Sequence, residues 1–208
     1  MITPEYLKIN DTVGIVAPAR RISRNEVENS LNVFKTWQLK VKLGKNVFNE
    51  FNQFSGTDIQ RINDFNDMIH DDEVKAIICA RGGYGSIRIV DYLDFNYFKK
   101  NPKWIAGYSD ITTLHSHINT NFDIETLHSI MPINFSDDKE QIMSINSLYN
   151  ALFGKRISYC ADNNFLNKKG KTTGQLIGGN LSILYALSCT SSDIKTKGKI
   201  LFIEELDE

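Results

Sequence analysis

The chain has 208 residues, of which 41% are apolar and 24% charged, with 12 Phe and 8 Tyr, so a packed core is expected and wholesale disorder is not. A formal charge of -1 and the lack of a long Lys/Arg patch argue against a non-specific nucleic-acid binder, which needs clustered cations to neutralise phosphates. No apolar run reaches the ~18 residues of a membrane span, and the N-terminus MITPEYLKIND has neither the charged start nor the apolar middle of a signal peptide, so a cytoplasmic location without a membrane partner is expected.

Thr12 to Ala17 reads as a first buried strand closed by Pro18. Ser23-Arg24-Asn25-Glu26 is a capping box, and Val27, Leu31, Phe34 and Trp37 follow at helical spacing. A second strand is expected within Lys40 to Val47, interrupted by Gly44. Thr57-Asp58-Ile59-Gln60 is another capping box, opening a helix with Ile59, Ile62, Phe65 and Ile69 on one side. Next come a strand over Lys75 to Cys79, a helix from about Ser86 to Leu93, a strand near Trp104 and a helix from Asp110 to about Asn119. This alternation predicts an α/β domain with a mostly parallel sheet and right-handed crossovers.

After Asn121 the rhythm changes. A strand is expected over Ile124 to Leu127, and a helix over Asp138 to Ala151 carrying Ile142, Ile145 and Leu148. No long periodic segment spans Gly154 to Lys171, which places a linker at about 148 to 165 and divides the chain into domains at 1–150 and 151–208. The apolar segment Leu181 to Leu187 and an apolar strand over Lys199 to Ile203 follow, before an acidic end. The second domain reads as incomplete, being too short to bury a core of its own, so both segments are expected to be partly exposed or frayed. The three cysteines, Cys79, Cys160 and Cys189, sit in or beside apolar runs and read as reduced core thiols.

Chemistry concentrates between Val74 and His117. One strand opens into Arg81-Gly82-Gly83-Tyr84-Gly85 and the next into Gly107-Tyr108-Ser109-Asp110. In a parallel sheet these turns share one edge, where ligands usually sit. Ser109 between a strand and a helix start suits a nucleophile, although GYSD lacks the flanking glycines of G-x-S-x-G. A simple helix N-cap is the competing reading. The glycine loop has Arg88 where a dinucleotide fingerprint requires glycine, so it reads as an amide nest for an oxyanion or a carboxylate. Arg81 and Arg88 either meet an anionic ligand or pair with Asp91 or Asp94. Gly170-Lys171-Thr172 is no P-loop, because Phe165 replaces the required glycine. His115 shares a face with Ile111, Leu114 and Ile118 and reads as a packed core histidine. His115, His117 and His128 lack zinc-ligand spacing, so no metal and no cofactor are expected. No histidine is an obvious base for Ser109. Glu204, at a strand end, could orient one.

The strings Val13-Gly14-Ile15-Val16-Ala17-Pro18, Arg81 to Gly85 with Arg88, Gly107 to Thr112, Gly178-Gly179-Asn180-Leu181 and Leu201 to Glu205 resemble, in order, those of the LD-carboxypeptidases. That serine peptidase family includes muramoyl-tetrapeptide carboxypeptidase and the microcin C self-immunity peptidase. The resemblance implies a flavodoxin-like N-terminal domain, a smaller swivelling C-terminal domain, a homodimer and a Ser-Glu-His triad without metal. It makes Ser109 the nucleophile, Glu204 the acidic triad member, and the amides of Gly83 and Asp110 the oxyanion hole. Arg81, Gly82, Asn180 and His128 then fall at the substrate, a murein tetrapeptide losing its terminal D-alanine or another small peptide. The family's catalytic histidine lies downstream of the glutamate, so this chain is expected to be a truncated and inactive form. Two alternatives are hydrolysis of a peptidyl-nucleotide antibiotic and a non-catalytic α/β protein that kept the cleft to bind peptides. Ser129, in His128-Ser129-Ile130-Met131-Pro132, departs from the His-Gly-Pro-Met of relatives.

Overall fold

The computed structural model describes residues 1–206. Five strands form a wholly parallel sheet: β1 (Thr12–Val16), β2 (Lys40–Leu43), β3 (Val74–Cys79), β4 (Trp104–Gly107) and β5 (Leu127–His128). Their order is β2-β1-β3-β4-β5, the flavodoxin-like winding. The helices are α1 (Arg24–Thr36), α2 (Asp58–His70), α3 (Phe95–Lys100), α4 (Thr112–Phe122) and α5 (Lys139–Leu152). A second, two-stranded parallel sheet pairs β6 (Leu176–Asn180) with β7 (Ile200–Glu204), joined through α6 (Leu181–Ala186).

Both faces of the large sheet are buried, as alternating side chains of a central strand require. On β3, Ala76 and Ile78 face a cluster with Phe34, Phe135, Leu148 and Leu152, under α1 and α5. Ile77 and Cys79 face Phe65, Met68, Phe98, Ile111 and Leu114, under α2, α3 and α4. Both expected capping boxes form, at Ser23 with Glu26 and at Thr57 with Gln60.

Several local expectations are corrected. The segment after Gly85 is two separate 3-10 turns, Ser86–Arg88 and Val90–Tyr92, and not a continuous helix. Asn66 Oδ1 takes the Asp94 amide at 2.9 Å, and the Asp94 carboxylate then caps α3, a helix the sequence did not signal. The second strand stops at Leu43, where the Gly44 amide turns in to the Ile15 carbonyl. The fifth strand starts only at Leu127, because Ile124 bridges to Ile2 instead. On α2 the buried face holds Arg61, Asp64 and Met68 beside Phe65 and Ile69, while Ile59 points outward. Ile142 of α5 is likewise exposed. Of the cysteines only Cys79 is a core thiol; Cys160 and Cys189 are exposed in irregular segments.

The β6–β7 segment packs over α4. Asn180 N–H donates to Thr112 Oγ1 at 3.0 Å, Ser116 Oγ to the Ser192 carbonyl at 2.5 Å and Thr120 Oγ1 to the Asp193 carbonyl at 3.1 Å. His117 Nδ1 meets Ser192 Oγ at 2.8 Å. Gly178 is needed where the two strands meet: its φ is 128°, and a Cβ would overlap the Phe202 carbonyl. Leu184 and Leu187 are buried, whereas Leu201, Phe202 and Ile203 keep exposed surface on a fully paired β7.

Candidate active site

The C-terminal ends of β1, β3, β4 and β5 bring together the turns at 18–21, 81–85, 108–110 and 129–131. Ser109 follows β4 directly and has φ 59°, the left-handed region that a non-glycine residue rarely adopts. Such strain persists only where surrounding structure enforces it, and it lifts the serine out of the sheet edge. Enforcement comes from two sides. Gly82 lies so near that a Cβ on it would stand 3.2 Å from Ser109 Cβ and 3.4 Å from Oγ. From the other side, Glu204 at the end of β7 accepts the Ser109 amide on Oε1 at 3.2 Å. The structure therefore joins the two residues that sequence reading had paired, from two different sheets.

Gly83 has φ 110°, and its N–H meets no protein acceptor among the described residues. Asp110 is fully buried. Its Oδ2 accepts the Ser86 amide at 2.8 Å, and burial pushes its carboxyl above the usual range, against the pull of the Ser86 and Gly85 amides and of Arg61. Its side chain thus holds the glycine loop.

His128 lies at the end of β5, with Nε2 3.8 Å from Glu204 Oε2 and its ring edge-on to Phe202. Burial lowers its pKa and outweighs the opposing pull of Glu204, so it stands neutral near pH 7. Behind it, His115 donates from Nε2 to the Gly107 carbonyl at 2.9 Å, and burial pushes its pKa down to about 4. That makes His115 a packed histidine, with His117 on the α4–Ser192 contact. Among the described residues no histidine hydrogen-bonds Ser109, and no cluster of three His, Cys, Asp or Glu could hold a metal ion.

Arg81 is engaged with Glu26 at 3.5 Å and the Arg21 carbonyl at 3.3 Å, and Arg88 forks onto Asp58, so neither pairs with Asp91 or Asp94. Asn180 caps α6 through Oδ1 and donates from Nδ2 to Glu205 at 3.0 Å, so both ends of its amide serve the fold. Three residues that the sequence did not single out complete the site's support. Arg61, almost wholly buried, donates to the Pro18 and Gly85 carbonyls and to Asp58, and sits under the Phe54 ring. Its place beside Asp58 and Asp64 on an otherwise apolar helix face was the available signal. Thr112 anchors Asn180, and Tyr108 donates to Asn134 Oδ1 at 3.1 Å. A cleft of about 880 Å³ opens beside Tyr108, His128, Ser129 and Asn134 and runs toward Arg156 and Tyr159, flanking the serine without including it.

A strained serine at a strand end of a parallel α/β sheet, beside a glycine-rich amide loop, is an arrangement that recurs in serine hydrolases. The chain belongs to the LD-carboxypeptidase family: the model of that family's N-terminal domain matches residues 13–129, and the model of its C-terminal domain matches residues 173–208. It is 38% identical over 208 residues to a "Probable murein peptide carboxypeptidase" of Bacillus subtilis (strain 168), covering 99% of this chain and 65% of that protein. The chain therefore spans just under two thirds of that relative. Among solved structures, a microcin-immunity-like (MccF-like) protein from Bacillus anthracis str. Ames aligns with TM-score 0.85 at 25% identity, covering 99% of this chain and 70% of that one. MccF in complex with glutamyl sulfamoyl guanosine shares the fold at TM-score 0.84 and 22% identity, covering 97% of this chain and 70% of its own.

Proposed function

We propose that this chain carries the nucleophile side of a serine LD-carboxypeptidase that releases the terminal D-alanine from murein tetrapeptide. The observation that carries the reading is Ser109 held at φ 59° between the Gly82–Gly83 loop and the Glu204 carboxylate. Ser109 Oγ attacks the carbonyl of the last peptide bond, and the amides of Gly83 and Asp110 receive the charge that develops on its oxygen. A histidine oriented by Glu204 takes the serine proton and returns it to the leaving amine, as in other triads. No such histidine touches Ser109 among the described residues, so the 208-residue chain is expected to bind substrate but to turn it over only slowly. No metal or cofactor is called for.

The match to the murein peptide carboxypeptidase of Bacillus subtilis supports the substrate, and the cleft beside Tyr108 and His128 offers room for the peptide. The proposal includes a domain division near residue 150, supported by the confinement of the large sheet to residues 12–128 and of the small one to 176–204. It also includes the family's homodimer and a cytoplasmic setting; no helix among the described residues is long and apolar enough to cross a membrane. Mass analysis of tetrapeptide incubated at high enzyme concentration tests the reading. D-alanine release faster than that of tetrapeptide in buffer alone supports it. Release no faster than in buffer refutes it, and faster turnover of a peptidyl-nucleotide would move the substrate to the immunity branch. Reversible peptide capture with no covalent adduct under any condition would make the protein a binding module.

A further inference from the structure

We propose that Arg20 takes the terminal carboxylate of the peptide and so sets the carboxypeptidase specificity of this site. The proposal rests on the reading above and names the residue that would recognise the chain end. Four exposed or half-exposed arginines stand around the glycine loop: Arg20, Arg21, Arg81 and Arg88. Three are engaged. Arg21 pairs with Glu50 at 3.0 Å, Arg81 with Glu26 at 3.5 Å, and Arg88 with Asp58 at 2.7 Å. Among the described residues, no carboxylate and no hydrogen-bond acceptor takes the Arg20 guanidinium.

Arg20 is nevertheless held in place. Its amide donates to the Gly82 carbonyl at 3.4 Å, and its backbone bridges to Phe54. The side chain then runs across Gly83, where an added Cβ would lie 2.5 Å from Arg20 Cδ, 2.7 Å from Cγ and 3.2 Å from Nε. Gly83 thus has two reasons to be glycine, its φ of 110° and the passage of this stem. The neighbouring Gly82 faces the Ser109 hydroxyl. Consecutive Cα atoms are about 3.8 Å apart, so the nucleophile and the arginine lie over adjacent residues of one strip of backbone. In a peptide about to lose its last residue, the scissile carbonyl and the terminal carboxylate are also one residue apart. A guanidinium fork fits a carboxylate through two parallel hydrogen bonds.

Binding, separated from turnover, provides the test. Calorimetry on the Ser109→Ala chain would compare a tetrapeptide ending in D-alanine with the same peptide as its C-terminal carboxamide. The acid is expected to bind roughly 10- to 100-fold more tightly, the worth of one charge-assisted pair. Adding Arg20→Gln should abolish that preference and leave carboxamide affinity unchanged, while Arg20→Lys should keep part of it. A preference that survives Arg20→Gln overturns the assignment, as does equal binding of acid and carboxamide by the Ser109→Ala parent. If that parent binds neither peptide, the carboxypeptidase reading itself fails.

Discussion

Thr112 Oγ1 accepts the Asn180 amide across the junction of the two sheets, and Gly179 packs so closely on Thr112 that a Cβ would overlap the hydroxyl. Thr112 is fully buried, so no water can replace it. Thr112→Val keeps the shape and removes the acceptor, leaving a buried N–H unpaired. It should destabilise the protein by about 1–3 kcal/mol, read as a lower urea midpoint at unchanged slope. A midpoint equal to the parent's would show that the junction contributes nothing.

Arg61 ties the end of β1 to the glycine loop after β3 and lies close enough to the buried Asp110 to oppose its burial. Arg61→Met leaves two carbonyls short of a donor and takes one ion-pair partner from Asp58. A loss of about 3–5 kcal/mol is expected, the usual result of stripping one member from a buried charge pair. Equilibrium unfolding measures it, and a change below about 1 kcal/mol, within the range of ordinary surface substitutions, would show that the clamp contributes little to stability.

His115 gives stability a pH dependence. Its folded pKa, about 4, lies below the ordinary histidine value of 6.5 because it is buried. Between those values the unfolded chain binds the proton more readily, so stability falls as pH drops from 6.5 toward 4. The full shift corresponds to about 3 kcal/mol. A His115→Gln variant, which retains a donor for the Gly107 carbonyl, should lack that part of the slope in parallel melts at pH 7 and pH 5. Equal slopes for the two proteins would assign the acid sensitivity to the other histidines whose pKa burial lowers, His117 and His128.

Without a base on Ser109, D-alanine release by this chain should retain only the residual ~10³–10⁴-fold advantage over water that binding and the oxyanion hole supply. Turnover near ~1 s⁻¹ or faster would instead indicate a base already present. Its abolition by His128→Gln would then identify the histidine beside Glu204.

Most of the fold was legible because it rests on short-range signals. Capping boxes at Ser23 and Thr57 and apolar runs at 12–17 and 75–79 fix the elements, and parallel winding follows from their alternation. Ser109 and Glu204 were legible as candidates from their strand-end strings, but the hydrogen bond between them was not, since it links residues 95 positions apart. The Arg61 clamp was hidden because an arginine on an amphipathic helix ordinarily faces water; only the sheet edge beneath it makes burial worthwhile. The helix expected at 86–93 breaks at Ile89, whose φ of -117° is far from helical and separates two 3-10 turns.

The bond from the Ser109 amide to Glu204 also bears on biosynthesis. The serine leaves the ribosome 95 residues before its carboxylate, a lag on the order of ten seconds at about 5–20 residues per second. Once residue 128 is made the large sheet has all of its strands, but the turn at Ser109 still lacks the acceptor that closes it from the second sheet. A nascent chain therefore displays Ser109 before Glu204 exists, and site assembly waits for β7 to pair with β6.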